Sequence, residues 1–349
     1  MNTYHVTCST DDNYLQHCVA MLCSLYENNK GLKMIVHLLI DHLSQESKDI
    51  ISSLSERYGN KAIFYTIDSK LLDDIQLNDI QLNGKQMYSI ATYYRMFLPS
   101  LLPQNIDRIL YLDCDIIVMQ NVSELFNLNM DEFGVAAVKD ASPYDSYHRH
   151  KMGLGLQHSA FCAGMMMINL KYWRENNSQQ KLLEYATHQW EKVYMQDQDA
   201  LNYVFRNHWL QLSYKWGKTP LSIVPIDYSQ KWYDIYDYVV NPCIFHYAAH
   251  TKPWLDVWFP DRKYYWKYLT LSGFPNPIET HANNQLRRII WRGVIRYQMN
   301  KYIRPFIPNV VELLLLDIIN FIMFIINLFR PSHLKVQMLK QWCQKYGFN

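Results

Sequence analysis

Apolar residues along the first half of the chain alternate between two periods. In YHVTC (residues 4–8), KMIVHLLI (33–40) and KAIFYTI (61–67) they run almost unbroken, as in strands buried on both faces. Between these runs the spacing turns helical. Leu15, Cys18, Val19, Leu22 and Tyr26 follow Asp-Asp-Asn and stop at Asn28, Asn29 and Gly31, and Ser44 caps a second helix carrying Ile50, Ile51 and Leu54 up to Gly59. SIATYYRMFLP (89–99) predicts a short helix closed by Pro99, ILYLDCDIIV (109–118) a fourth strand, and GVAAVKD (134–140) and AGMMMIN (163–169) two more. Helical pieces are expected near 181–190 and 197–206, inside a Trp- and Tyr-rich stretch from 170 to 275. The β-α-β-α-β order predicts an α/β fold, a parallel, doubly wound sheet with its ligand beyond the strands' C-terminal ends.

The pattern changes again after residue 275, which divides the chain into a main domain over 1–275 and a C-terminal helical membrane-association region over 276–349. Residues 287–349 hold ten Lys/Arg against two acids, a charge of +8, so the chain's net +2 leaves −6 on residues 1–286. A helical wheel sets Arg288, Arg292 and Arg296 on one face and Leu286, Ile290, Val294 and Tyr297 roughly opposite, the signature of a membrane-surface helix. VVELLLLDIINFIMFIINLF is long enough to span a bilayer, yet Glu312, Asp317, Asn320 and Asn327 share one arc. A central acid costs about 2.5–3.5 kcal/mol on insertion, which favours an interfacial helix or a homo-oligomer contact over a span. So apolar a stretch also argues against nucleic acid. Seven scattered cysteines without a C-x-x-C indicate neither a disulfide framework nor a zinc site, and the N-terminus lacks a signal-peptide pattern, so a cytoplasmic protein is expected.

Neither G-x-G-x-x-G nor G-x-x-x-x-G-K-[ST] occurs, which speaks against dinucleotide and P-loop chemistry. The chemistry lies instead in Asp113 and Asp115, one residue apart in an otherwise apolar run. On a strand they share a face and repel, so a basic neighbour, a shared proton or a divalent cation must relieve them. His246 ends another β-like run, CIFHYAAHTKPW, with Lys252 six residues on. Two carboxylates and an imidazole suit Mn²⁺ or Mg²⁺, the nitrogen favouring Mn²⁺, and Lys252 could then meet a phosphate.

DDNY, SIATYYRM, ILYLDCDIIV, AGMMMINLKYW, QDQDALN and HYAAHTKPW, in that order, resemble glycosyltransferase family 8, especially its bacterial lipo-oligosaccharide α-galactosyltransferase type, over about residues 3–270. The resemblance implies a Rossmann-like GT-A fold, a mixed, mainly parallel sheet with helices on both faces, that binds a UDP-sugar and Mn²⁺, with Asp113, Asp115 and His246 as metal ligands, Cys114 between them in the donor site, and Lys252 stabilising the departing UDP. It implies that Asp11, Asn13 and Tyr14 read the uridine with Ser9 lining the loop, and that Arg95 reaches the donor's sugar and phosphates. Asp140 and Asp197 would hold sugar hydroxyls, and Gln198 would lie near the anomeric carbon. Such enzymes retain anomeric configuration, and a neutral amide is a poor nucleophile, so same-face attack by the acceptor is expected. Two departures stand out: FCAG puts Cys162, beside Ala163, where an amide contacts sugar hydroxyls, and Ala249 replaces a glycine near the diphosphate. The expected reaction moves galactose or glucose onto a glycolipid or polysaccharide acceptor at the inner face of the plasma membrane. A glycosidase with paired carboxylates and an inactive sugar-nucleotide-binding scaffold are the rival readings.

Overall fold

The computed structural model describes residues 3–68, 70, 81–82, 85–86, 90–140, 152–154, 158–189, 195–219, 241–248, 252–255, 259 and 261–278. The chain divides into two compact units, 1–297 and 298–349, and every described residue belongs to the first. The whole predicted extension beyond Ile278, and Ala249, lie outside the described residues.

Strands β1 (Thr3–Ser9), β2 (Lys33–Ile40) and β3 (Lys61–Thr66) alternate with helices α1 (Leu15–Glu27) and α2 (Gln45–Arg57). A small ribbon, β4 (Gln81–Leu82) and β5 (Lys85–Gln86), precedes a 3₁₀ helix, Ile90–Phe97, that runs into α3 (Leu98–Leu101). Then come β6 (Arg108–Leu112), β7 (Ile116–Val118), α4 (Ser123–Phe126), β8 (Val135–Lys139) and β9 (Phe161–Asn169). Helices α5 (Leu170–Glu175), α6 (Ser178–His188) and α7 (Asp197–Phe205), strands β10 (Trp209–Leu212) and β11 (Ile244–His246), and helix α8 (Arg262–Ser272) complete the described elements.

Seven strands form one sheet in the order β10-β8-β9-β6-β1-β2-β3. Pairs β1–β2, β2–β3, β1–β6 and β8–β10 are parallel, whereas β9 runs antiparallel to both β6 and β8, so the sheet is mixed and mainly parallel. Alternate side chains feed two cores. Leu110, Leu112, Met165 and Met167 face α1, α2 and α8, while Ile109, Tyr111, Met166 and Ile168 face the 3₁₀ helix and α5–α7. The expected Ser44 cap forms, its side chain accepting from Ser47 N before α2, while Asp11 Oδ1 accepts the Tyr14 N–H at 2.8 Å in the turn that leads into α1.

Two expected elements differ. The run 109–118 is not one strand: it breaks after Leu112, and β7 leaves the sheet to pair antiparallel with β11. Asp113 and Asp115 thus occupy a turn, closed by Ile116 N–H donating to Asp113 O at 3.3 Å, rather than one face of a strand. Pro99 does not close its helix either; it sits in the first turn of α3, where a missing N–H costs nothing, and the helix continues to Leu101.

The strand order reverses between β1 and β6, because β2 lies on one side of β1 and β6 on the other. Loops leaving such neighbours diverge and open a crevice at their C-terminal ends. Ser9, Asp11 and Asp113 all lie at that point.

Candidate active site

Folding brings Asp113 and Asp115, after β6, against His246, the last residue of β11. The pairing of β11 with β7 sets His246 opposite Ile116, which places the imidazole beside the acidic turn. His246 Nε2 lies 3.3 Å from Asp115 Oδ1 and 4.0 Å from Asp113 Oδ2, and one ligand atom from each of the three residues falls within 4.8 Å of the others. Gly164 makes room for the ring, since a Cβ there would come 2.2 Å from His246 Cε1.

Protein groups already occupy the outer side of each carboxylate. Asp113 Oδ1 accepts from Arg95 Nη2 at 3.0 Å and from the Tyr111 hydroxyl at 2.8 Å. Asp115 Oδ2 accepts from Lys252 Nζ at 2.6 Å. Asp115 Oδ1 is buried and takes no well-aligned hydrogen bond, although His246 Nε2 lies 3.3 Å away. Burial works against charge on Asp115, but Lys252 and His246 overrule it and hold the carboxyl well below the usual range. The same carboxylate, with Cys162, keeps the buried His246 well above an ordinary imidazole.

An orphaned carboxylate oxygen, a second carboxylate oxygen and an imidazole nitrogen fit a divalent cation. Bonds of about 2.1 Å put octahedral ligands about 3 Å apart when adjacent and about 4.2 Å when opposite, and the separations of 3.3 and 4.0 Å fall between these. The donor set of two hard oxygens and one nitrogen suits Mn²⁺ or Mg²⁺ better than a thiolate-seeking metal.

Arg95 is buried and organises the centre. It stacks 4.0 Å above the Tyr111 ring, and each of its three nitrogens holds an oxygen: Nε that of Thr92 O at 3.0 Å, Nη1 that of Ala163 O at 2.6 Å, Nη2 that of Asp113. Its Nε is also 3.0 Å from Asp197 Oδ2. Burial pushes Asp197 up to about 7, although Arg95 pulls the other way. Next in sequence, Gln198 receives the Ala163 N–H on Oε1 at 3.0 Å and donates from Nε2 to Asp140 Oδ2 at 3.1 Å, which fixes the face its amide presents.

Of the remaining expected residues, Asn13 and Tyr14 are exposed, Tyr14 at 44%, and Asp11 is half-buried. Cys114 turns inward: its thiol donates to Ser9 O at 3.1 Å and packs with the buried thiols of Cys8 and Cys18. Cys162 is half-buried, its sulfur 3.5 Å from His246 Nδ1. Ala163 takes part through its backbone at both N–H and C=O.

Sequence reasoning missed Tyr111, Gly164 and Asn202. Asn202 exchanges two hydrogen bonds with the Phe161 backbone, at 2.7 and 2.9 Å, and so ties α7 to β9. Only the glycine in FCAG carried a signal, as a point of close backbone approach. Asp12 also proved structural, taking hydrogen bonds from Ser44 and Ser47 at the start of α2.

A GT-A sheet with paired acids at its switch point defines a class, the nucleotide-sugar glycosyltransferases. The profile described as Glycosyl transferase family 8 matches residues 5–257, and the chain belongs to that family. It is 26% identical over 295 residues to General stress protein A of Bacillus subtilis, covering 80% of this chain and 98% of that protein. It is 28% identical over 260 residues to the lipopolysaccharide 1,2-glucosyltransferase of Escherichia coli, covering 73% and 74%. Among solved structures, the galactosyltransferase LgtC in complex with donor and acceptor sugar analogs superposes with a TM-score of 0.65 at 20% identity, covering 81% of this chain and 99% of that one, a likeness of fold.

Proposed function

We propose that this glycosyltransferase is a retaining, Mn²⁺-dependent enzyme that moves galactose or glucose from a UDP-sugar to a glycan acceptor on a lipid or polysaccharide. The observation that carries the reading is the meeting of Asp113, Asp115 and His246 within 4.8 Å at the sheet's switch point. In this reading a bound Mn²⁺ supplies Lewis-acid stabilisation of the leaving diphosphate. Lys252, already at the site, adds a preorganised positive charge where negative charge develops. Arg95 holds Asp113 and Asp197 in place, and Asp140 and Ala163 hold the Gln198 amide toward the sugar. Asp11, Asn13 and the exposed Tyr14 ring receive the base, Ser9 lines the loop, and the half-buried Cys162 faces the sugar in place of an amide.

The likeness to a lipopolysaccharide glucosyltransferase supports a hexose donor and a lipid-borne acceptor. The +8 charge of residues 287–349 supports peripheral attachment to an anionic inner membrane face through a region that begins near residue 276. Among the described residues no helix is long and apolar enough to cross a membrane. The test is a screen of UDP-Glc, UDP-Gal, UDP-GlcNAc and UDP-xylose for Mn²⁺-dependent hydrolysis, with NMR of the anomeric signal first formed. Turnover of UDP-Glc or UDP-Gal with an α-product is expected. Cleavage that ignores both nucleotide and metal would point to a glycosidase, and no cleavage of any donor to an inactive binding protein.

A further inference from the structure

Beside the nucleotide loop, a cluster of rings joins three segments of chain. His17 of α1 stacks on Trp254 with centroids 3.7 Å apart and planes 20° apart, Tyr14 meets the His17 ring edge-on at 5.1 Å, and Tyr265 of α8 lies 5.0 Å from Trp254. Trp254 belongs to the turn in which Leu255 N–H donates to Lys252 O at 3.0 Å, and Arg262 and Trp266 of α8 both donate to the carbonyl of Pro253 at 3.3 Å.

The hydrogen bonds in this cluster fix where each proton sits. The Ile278 N–H can only donate, and it does so to Gln16 Oε1 at 2.6 Å. The other end of that amide is therefore the NH₂, which donates to Ile278 O and to the Tyr265 hydroxyl oxygen, each at 3.0 Å. Among the described residues the one acceptor for the Tyr265 proton is His17 Nδ1, at 2.7 Å. The His17 proton then rides on Nε2, and burial pushes the ring's pKa down to about 3, which keeps it neutral.

We propose that His17, held by Tyr265, is a positioning residue for donor binding, locking the Tyr14 end of the nucleotide loop to Trp254 and so setting Lys252, two residues earlier, against Asp115. The inference rests on the nucleotide-sugar reading of the site. It assigns a role to α8, which lies beyond the family match at 5–257. One neutral imidazole would thus couple the base end of the donor site to its phosphate end.

The test compares His17→Phe, which keeps a ring in the stack, with Tyr265→Phe, which removes only the hydroxyl. In the ligand-free protein, amide exchange in the Lys252–Leu255 turn should quicken about tenfold in both variants. With Mn²⁺ present, UDP affinity measured by calorimetry should weaken about 5- to 20-fold in each, the double variant should be no weaker than either single, and Mn²⁺ affinity measured by electron paramagnetic resonance should stay within about twofold of wild type. Unchanged turn exchange and UDP affinity, additive losses, or an equal loss of Mn²⁺ binding would each overturn the proposal. Wild-type protein that binds no UDP would end the nucleotide reading, while the exchange rates would still decide whether His17 holds the turn.

Discussion

Two acids in this site are driven in opposite directions, one by its charged neighbours and the other by burial. Asp115 touches an ammonium and an imidazole and is kept ionised, whereas burial outweighs the Arg95 guanidinium beside Asp197 and pushes that carboxyl up to about 7. A carboxyl group must be deprotonated to bind a metal, so the difference suits the roles expected of Asp115 and Asp197. Replacing Asp115 by Asn leaves the geometry and removes the charge; turnover with Mn²⁺ should fall at least about 100-fold in steady-state assays. At Gly164 the added methyl of Gly164→Ala would strike the His246 ring, and activity should fall about 10- to 100-fold, read as a weaker Mn²⁺ activation constant with a small change in Tm. A separate residue reports on stability. His37 is buried between His5 Nδ1 and the Tyr65 hydroxyl, and burial lowers its pKa to about 4. The unfolded chain therefore binds a proton on His37 near pH 6.5 that the folded one refuses until about 4. Stability in urea should fall as pH drops through that window, and His37→Gln should flatten the slope. The acids and His246 were legible because charged groups in apolar runs demand partners. Tyr111 and Gly164 were not, since a tyrosine in a strand reads as core and a glycine as a bulge until the ring it admits is known.

At the scale of elements, one irregularity builds much of the site. The pairing of β8 with β9 jumps from Ala137 opposite Met166 to Val138 opposite Cys162, so Ala163, Gly164 and Met165 bulge from that ladder. The bulge frees the Ala163 N–H and C=O for Gln198 and Arg95 and lays Gly164 beneath His246. Asn202 anchors α7 to the strand just before it. Asn202→Ala leaves two buried Phe161 backbone groups without partners and should cost about 2–4 kcal/mol in chemical denaturation, with a loss of kcat as Gln198 shifts. Helices α1 and α2 and strands β1–β3 were readable because local caps and periods agree there with the tertiary packing. The break after Leu112 was hidden by its composition: β7 is as apolar as β6, having a second ribbon to bury it, so the run looked continuous. Pro99 misled in the same way, for a proline suits the first turn of a helix as well as its end.

On the scale of the whole molecule, the reversal of strand order at β1 and β6 brings Ser9 and Asp113 to one end of the sheet, and the β7–β11 pairing adds His246. Sequence order alone suggested a doubly wound sheet; the antiparallel β9 could not be read from an apolar run, because direction is set by the path of the connection rather than by the strand's own residues. In the proposed function, Asp113, Asp115 and His246 hold a divalent cation that receives a nucleotide diphosphate. Calorimetric titration of UDP into wild type and His246→Ala, with and without Mn²⁺, tests it most directly. Mn²⁺ should tighten UDP binding at least about tenfold in wild type, or about 1.4 kcal/mol, and give no gain in His246→Ala. Equal UDP affinity with and without Mn²⁺ in wild type, or an undiminished gain in the variant, would contradict it.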